Sequence, residues 1–237
     1  MNLLVSKSPR ELVSEVKPIV LPIASIENHG PLPIGTDYLI ANCITSRLGE
    51  DCLCAPIIPY SVAIEHRGAG FTITSSPQVF MLYLRDVLLS LTSMTTKVIV
   101  LCFHGGALHL AYVASRLVRS ARPEVEILIV DFWSLVREVL SRLGIRADIA
   151  HAGFTEASIL AACNEVECHE VRSQETVKTL GAVEASYILK PWIWSDKPEA
   201  YRVDRTVECS RSLGARIIEE IVQEISRLCE AMKQQNS

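Results

Sequence analysis

The sequence predicts an α/β fold of three layers, an α/β/α sandwich in which helices cover both faces of a mainly parallel central sheet. Two observations lead to this prediction. Four apolar runs of strand length are each followed by a segment with helical periodicity. The chain also has 237 residues, of which 49% are hydrophobic and 21% charged, a balance typical of a globular protein with a substantial core. This length fits one domain that covers residues 1–237.

The predicted elements follow one another in a regular order. The first strand, residues 18–26, is an apolar run that ends at Glu27, and a helix follows at 37–48 with Thr36 or Asp37 as its N-cap. The other strands are expected at 54–59, 97–103 and 126–132, and the other helices at 78–94, 108–122, 134–143, 155–163 and 210–233. Apolar strands that alternate with amphipathic helices indicate a sheet buried on both faces.

Composition and charge exclude several classes of partner. The net charge of −4 and the pI near 5.9 argue against nucleic-acid binding, which needs a basic surface. Apolar stretches fall far short of the roughly 20 residues that cross a bilayer, so no membrane partner is expected. The N-terminus lacks the pattern of a signal peptide, which predicts a cytoplasmic protein. The eight cysteines form no pair of C-x-x-C motifs, and we expect ordinary buried thiols.

Polar clusters follow the predicted strands at the point where each strand ends. In open parallel sheets, ligands bind outside the carboxyl ends of the strands. Clusters at these positions are therefore candidates for function. They are Glu27-Asn28-His29 after the first strand, Glu65-His66 after the second, His104-Gly105-Gly106 after the third, and Asp131-Phe132-Trp133 at the end of the fourth.

The first and third clusters contain ligands suited to a metal ion. Glu27 and His29 are two residues apart and point to one face of an extended chain. Asp37 can reach back to the same point, and its two oxygens can bridge two ions. His104 can supply a further ligand, next to glycines that allow close backbone approach. Carboxylate and imidazole groups suit Zn, Mn or Fe better than Ca or Mg, so these residues predict a metal site.

Each of these residues also has a simpler interpretation. A single histidine near a turn is more often a surface or capping residue, and Asp37 alone is equally consistent with an N-cap. His104-Gly105-Gly106 could form an anion-binding turn, although it is not a P-loop, because the Gly-Lys-Ser/Thr ending is absent. The shared location of four such residues at strand ends favours the metal site.

The motifs that carry these residues resemble those of the creatininase family. Residues 21–37, LPIASIENHGPLPIGTD, resemble the family signature L-P-x-G-S-x-E-Q-H-G-P-H-L-P-x-G-T-D. Residues 59–66, 98–106, 131–133 and 151–158 are similar to four further family blocks, and all of them occur in the family order. The resemblance implies an α/β/α sandwich, two divalent metal ions (Zn, Mn or Fe), and a homo-oligomer that is commonly a hexamer.

The resemblance also implies roles for individual residues. Glu27 and His104 would bind one ion, His29 the other, and Asp37 would bridge them. The implied catalytic and substrate-binding residues are His151 as the proton carrier beside the leaving nitrogen, Glu156 as metal ligand or base, Trp133 as a lid residue, and Tyr60, Glu65 and His66 in the substrate-binding segment.

Four departures from the family pattern bear on the substrate. The turn before Asp37 is one residue short, and Cys102 and Ala107 replace asparagines that flank the His-Gly-Gly motif. Creatininase has a carboxylate where this chain has Gly106, so the second ion would rely on Glu156 or water. It also has a lid tryptophan where this chain has Ala147. The last two changes argue against creatinine as the substrate.

The leading hypothesis is a binuclear metal amidohydrolase that acts on a small nitrogen-rich amide. A formamidopyrimidine nucleotide deformylase of riboflavin and related coenzyme biosynthesis is preferred, and a creatinine amidohydrolase or a peptide-cleaving member is the alternative. A non-catalytic, metal-retaining binding protein on the same fold is a hypothesis of another class. An NAD-binding or phosphate-binding domain is disfavoured, because no G-x-G-x-x-G motif follows a strand. Trp192 and Trp194 could contact substrate, lie in a subunit interface, or pack against the sheet edge.

Overall fold

The computed structural model describes residues 3–14, 17–147, 149–170, 201–204 and 206–234. Its central element is a parallel sheet of four strands, which confirms the predicted sheet. The strands are β1 (Ile19–Ile23), β2 (Leu53–Cys54), β3 (Lys97–Cys102) and β4 (Glu126–Asp131), in the spatial order β2-β1-β3-β4. A separate parallel pair joins β5 (His169–Glu170) and β6 (Glu208–Cys209).

Seven α-helices lie within the described residues. They are α1 (Pro9–Ser14), α2 (Thr36–Thr45), α3 (Pro77–Leu91), α4 (Gly105–Ala121), α5 (Phe132–Arg142), α6 (Phe154–Ala162) and α7 (Arg211–Gln234). Short 3₁₀ segments occupy Leu4–Ser6 and Ile64–Ala69. Over the same residues, every helix is too short or too polar to cross a membrane.

The helices cover both faces of the sheet. Val20 and Ile99 belong to one buried cluster, together with residues of α2, α5, α6 and α7. Their neighbours Ile19 and Val98 belong to a second cluster, with residues of α3 and α4. Because successive strand side chains point to opposite faces, these clusters are the two cores of an α/β/α sandwich. The predicted three-layer fold is confirmed.

The second strand is shorter than predicted. Ala55 donates a backbone hydrogen bond to Val20, and Ile58 donates one to Pro22, so the segment continues alongside β1. Between them stands Pro56, which has no backbone N–H to donate. The predicted strand at 54–59 is therefore interrupted after two paired residues.

The N-cap prediction for α2 was wrong. Gly35 occupies the cap position, and no side chain caps the first turn. The Thr36 hydroxyl donates instead to the carbonyl of Pro33 at 2.7 Å. Asp37 lies inside the first turn, with its buried carboxylate accepting a 2.8 Å hydrogen bond from the Ser25 hydroxyl. The carboxylate therefore faces the sheet edge, where the other predicted site residues lie.

The expectation of free thiols was wrong for four of the eight cysteines. One disulfide, Cys43–Cys163, joins α2 to the residue that follows α6, and a second joins Cys168 to Cys209 in β6. The partners are 120 and 41 residues apart, so local patterns gave no sign of the pairing. The free thiols are all buried: Cys52, Cys54, Cys102 and Cys229. Trp192 and Trp194 lie outside the described residues.

The contact between α6 and α7 depends on Gly214. A Cβ at this position would overlap the backbone carbonyl of Ser158, which cannot move without shifting α6. We expect Gly214→Ala to lower the free energy of unfolding by about 1–3 kcal/mol, as overpacking does, in urea denaturation. The control is Gly49→Ala, because a Cβ there first meets an atom at 3.9 Å. Equal losses in the two variants would contradict this packing.

Candidate metal centre

Seven ionisable side chains converge at the carboxyl ends of β1 and β3. Two adjacent parallel strands end at the same edge, and the loop after β1 folds back so that the amide of Glu27 donates to the carbonyl of Ile34 at 2.8 Å. The α6 helix adds residues from the other side. The converging side chains, all nearly sealed from solvent, are Glu27, His29, Asp37, His66, His104, His151 and Glu156.

Four of these residues surround one point. His104 Nδ1 lies 3.1 Å from Glu27 Oε2 and 3.2 Å from Asp37 Oδ2. His66 also reaches this side, with Nε2 3.3 Å from Glu27 Oε1. Glu27, His66 and His104 form a group of potential metal ligands.

A second point lies on the other side of Asp37. His29 Nε2 is 3.7 Å from Asp37 Oδ1, 3.8 Å from Glu27 Oε1 and 3.9 Å from Glu156 Oε2. These separations are too long for hydrogen bonds, but His29, Asp37 and Glu156 are close enough to bind one ion together. The two oxygens of Asp37 thus face different points.

The orientation of both central histidines fits a metal ion. His29 Nδ1 lies 3.1 Å from the carbonyl of Glu27, and His104 Nε2 lies 2.8 Å from the carbonyl of Val62. Because a carbonyl only accepts, each of these nitrogens carries a proton, and in the neutral ring the other nitrogen presents a lone pair to the cluster. Metal-binding histidines are commonly held in this way.

Two buried atoms of the cluster make no hydrogen bond to the described part of the chain. They are Glu27 Oε2 and His29 Nε2. Leaving a buried polar atom unsatisfied costs about 1–3 kcal/mol, and a divalent cation would satisfy both. The nitrogen and carboxylate donors are those that Zn, Mn or Fe prefer, so the residues fit the expected metal.

The electrostatics of the cluster favour positive charge at its centre. Burial lowers the pKa of His29, but the negative charges of Glu156, Asp37 and Glu27 raise this pKa by more than burial lowers it, so the net shift is upward. The pKa of His104 is raised well above its usual value by Glu27 and Asp37, against the effect of burial. Burial raises the pKa of Glu156 to about 8. Protons bound to these groups thus compensate the negative charge of the buried carboxylates, as metal ions would.

His66 and His151 form a second class of histidine. Burial, followed by the charge of His29, lowers the pKa of His151 to about 3. Burial and the charge of His151 lower the pKa of His66 in the same direction. Both rings are therefore neutral at pH 7. His151 Nε2 donates to the carbonyl of Asn28 at 2.7 Å, and Nδ1 lies 3.9 Å from Glu27 Oε1.

Two residues of the site were not predicted. The hydroxyl of Tyr201 lies 2.8 Å from His66 Nδ1, and burial together with Glu27 and Glu65 raises its pKa. Tyr201 is 135 residues from His66, in a region without a recognisable motif. Ser25 donates a hydrogen bond to Asp37. Its place in the site could have been predicted from the sequence, because it is two residues before Glu27 and therefore points to the same face of an extended chain.

The predicted substrate-binding residues divide into two groups. Glu65 and His66 lie in the cluster, with Glu65 Oε1 3.2 Å from His104 Nε2. Tyr60 is 57% exposed. Trp133 Nε1 donates to the carbonyl of Phe103 at 2.9 Å and so supports the end of β3. Substrate binding by Tyr60 and Trp133 stays a prediction.

Sequence comparisons identify relatives of the chain. A family model described as "Creatininase: Creatinine amidohydrolase" matches residues 4–229. The chain is 28% identical over 123 residues to a mycofactocin precursor peptide peptidase of Mycolicibacterium smegmatis, which covers 48% of this chain and 50% of the relative. The chain therefore spans about half the length of the curated relatives that it matches.

Comparisons with solved structures support the same fold. A structure of creatininase with Mn matches at a TM-score of 0.70 with 17% identity, covering 96% of each chain. A crystal structure of creatinine amidohydrolase matches at 0.69 with 15% identity, covering 99% of this chain and 97% of the other. At sequence identities this low, the structural similarity shows that these proteins and this chain share a fold.

Metal binding to this cluster should stabilise the folded state. A ligand that binds only the folded state and is present at 100 times its Kd adds about 2.7 kcal/mol to the free energy of unfolding. Zn or Mn should therefore raise the Tm of chelator-treated protein. Asp37→Asn should abolish the shift, because both points share Asp37. The control Asp86→Asn alters a largely exposed carboxylate that pairs with Arg85 and should keep the shift. A Tm that Zn, Mn and Fe(II) all leave unchanged would contradict the interpretation.

Proposed function

The chain belongs to the creatininase family, and from this premise we propose that it is a binuclear metal-dependent amidohydrolase. Its substrate is a small nitrogen-rich compound, in which it cleaves a non-peptide C–N bond of an amide or formamide. One observation carries the proposal: Asp37 offers Oδ2 to a point shared with His104, and Oδ1 to a point shared with His29. Two cation sites joined by one carboxylate suit hydrolysis at paired metals.

The proposed ligand sets follow from these distances. Glu27 and His104 would hold one ion, His29 and Glu156 would hold the other, and Asp37 would bridge them. Zn, Mn and Fe all accept this set of donors. When bound, such ions lower the pKa of a coordinated water toward about 7 and polarise the carbonyl of the substrate.

His151 is the proposed proton carrier. Its Nε2–H donates to the carbonyl of Asn28, so in the neutral ring Nδ1 carries no proton, and it lies 3.9 Å from Glu27 Oε1. A neutral imidazole in this position accepts a proton from the attacking water, a step for which its pKa has to rise from about 3 toward the working pH when substrate binds. It then delivers that proton to the departing nitrogen, as general acid–base catalysis requires.

Glu156 and His151 are brought together by one tight turn. The amide of Ala152 donates to Glu156 Oε2 at 2.7 Å. Ala152 itself has a φ of 53°, a left-handed conformation that L-residues rarely adopt. This turn fixes the Glu156 carboxylate beside His29 and holds His151 on the same side of the cluster, so a metal ligand and a proton carrier share one support.

The identity of the substrate is the least constrained part of the proposal. Gly106 and Ala147 stand where creatininase has a carboxylate and a lid tryptophan, which favours a formamidopyrimidine nucleotide deformylase over a creatinine amidohydrolase. The similarity to a mycofactocin precursor peptide peptidase supports peptide cleavage as the second candidate. A non-catalytic metal-binding protein is the candidate of another class. A cytoplasmic location and a homo-oligomer, such as a hexamer, stay predictions.

Metal content tests the ligand assignment. We expect two equivalents of Zn or Mn per chain after loading and desalting, as measured by plasma mass spectrometry. Glu156→Ala should retain about one equivalent, because it removes a ligand from one point only. Asp37→Ala should retain neither. If Asp37→Ala and Glu156→Ala lose the same single equivalent, the bridging role of Asp37 is wrong.

The role of His151 is separable from metal binding. His151→Ala should keep the full metal content and lower kcat by about 10²–10⁴-fold, the usual contribution of a general acid or base. Substrates would come from a panel of formamides, lactams, creatinine and short peptides. The matched control is His109→Ala, an exposed histidine on α4. Loss of metal from His151→Ala would show that it is a ligand, and metal-loaded wild type that hydrolyses nothing would favour the binding protein.

A further inference from the structure

His104 is held at both ring nitrogens. On one side, Nδ1 faces Glu27 and Asp37 at 3.1 and 3.2 Å. On the other, Nε2 lies 2.8 Å from the carbonyl of Val62 and 3.2 Å from Glu65 Oε1. A carbonyl and a carboxylate both accept, so one N–H is shared between them. The Glu65 side chain is only 16% exposed, so solvent screens this contact little.

The space beside this contact explains the second glycine of the His104-Gly105-Gly106 turn. A Cβ at position 106 would overlap Glu65 Oε1 and the carbonyl of Val62, and it would lie 2.6 Å from His104 Nε2. A Cβ at position 105 would meet no atom within 4 Å. The two positions therefore differ in the side chains that they tolerate. A side chain at 106 would collide with the carboxylate that contacts His104, whereas a side chain at 105 would not.

We propose that Glu65 is a positioning residue for His104, and that residue 106 is glycine because the Val62 carbonyl, the His104 ring and the Glu65 carboxylate that contacts it together take the space that a side chain would fill. The inference rests on the proposed function, in which His104 is a metal ligand. The carboxylate strengthens the hydrogen bond from Nε2–H, fixes the ring, and makes Nδ1 a better electron donor to the ion. Glu65 thus acts on the metal through His104, from a helical turn, Ile64–Ala69, that is remote in sequence.

The affinity for Zn, measured by competition with a chromogenic chelator, tests this role. Glu65→Ala should weaken binding by about 10–100-fold, the usual effect of removing the partner of a metal-binding histidine. Glu65→Gln should weaken it less, because the neutral amide oxygen still accepts the hydrogen bond. Gly106→Ala should also weaken it, whereas the neighbouring Gly105→Ala should stay within about twofold of wild type, since its Cβ meets open space.

A second measurement does not depend on bound metal. In metal-free protein, the Nε2–H proton of His104 should give an NMR signal shifted downfield by the carboxylate. Glu65→Ala should move this signal upfield and speed its exchange with water, and Glu65→Gln should have an intermediate effect. Far-ultraviolet circular dichroism of each metal-free variant verifies that it is folded.

Specific results would overturn the proposal. One is a Glu65→Ala variant that binds Zn within about twofold of wild type and keeps the His104 signal. Another is an increase in KM alone, which would make Glu65 a substrate-binding residue. If wild type binds neither Zn nor Mn, the proposed function fails, and the His104 signal in metal-free protein still decides whether the Glu65 contact exists.

Discussion

The constraint on which this structure depends is the burial of three carboxylates beside one another. Glu27, Asp37 and Glu156 lie within reach of a single ring, His29, and all are at most 5% exposed. Like charges in such a site repel each other and lose the solvation of water. The arrangement is stable only when the negative charge is compensated, whether by protons on the histidines and on Glu156 or by metal ions. The two unsatisfied atoms, Glu27 Oε2 and His29 Nε2, mark where that charge is needed.

The fold meets this need by joining rigid elements at one edge. Parallel pairing of β1 and β3 aligns their carboxyl ends, and the following segments carry Glu27 and His104. A tight loop, in which Gly30 has a φ of 55°, returns the chain to α2 and Asp37. The α6 helix contributes Glu156 from the core that it shares with α2, and Gly214 allows α7 to pack closely behind it. Metal ligands supplied by several elements of a packed sandwich are well suited to a preorganised site.

The predictable part of this site is the part encoded by local spacing. Alternation along the extended segment after β1 was enough to predict that Glu27 and His29 meet at one point, and Asp37 joins them even though its loop is one residue short. Contacts between distant segments could be predicted where both segments follow strand ends, as Glu27 and His104 do, but not elsewhere, because no periodicity links the partners. Tyr201 beside His66 and the disulfide between Cys43 and Cys163 are of this kind. The N-cap prediction for Thr36 or Asp37 was wrong because α2 begins at Thr36 after Gly35, and the Asp37 carboxylate contacts Ser25 and His104 instead.

X-ray absorption spectroscopy of the metal-loaded protein tests the central claim most directly. If Asp37 joins two ions, the spectrum of Zn-loaded or Mn-loaded wild type will contain a metal–metal scattering path of about 3.5–4 Å, the usual spacing in two-metal sites. The same spectrum will be fitted by nitrogen and oxygen ligands only, because no cysteine belongs to the groups of possible ligands among the described residues. A spectrum with one isolated metal shell, or a metal–metal path that persists in Asp37→Asn, would contradict the account.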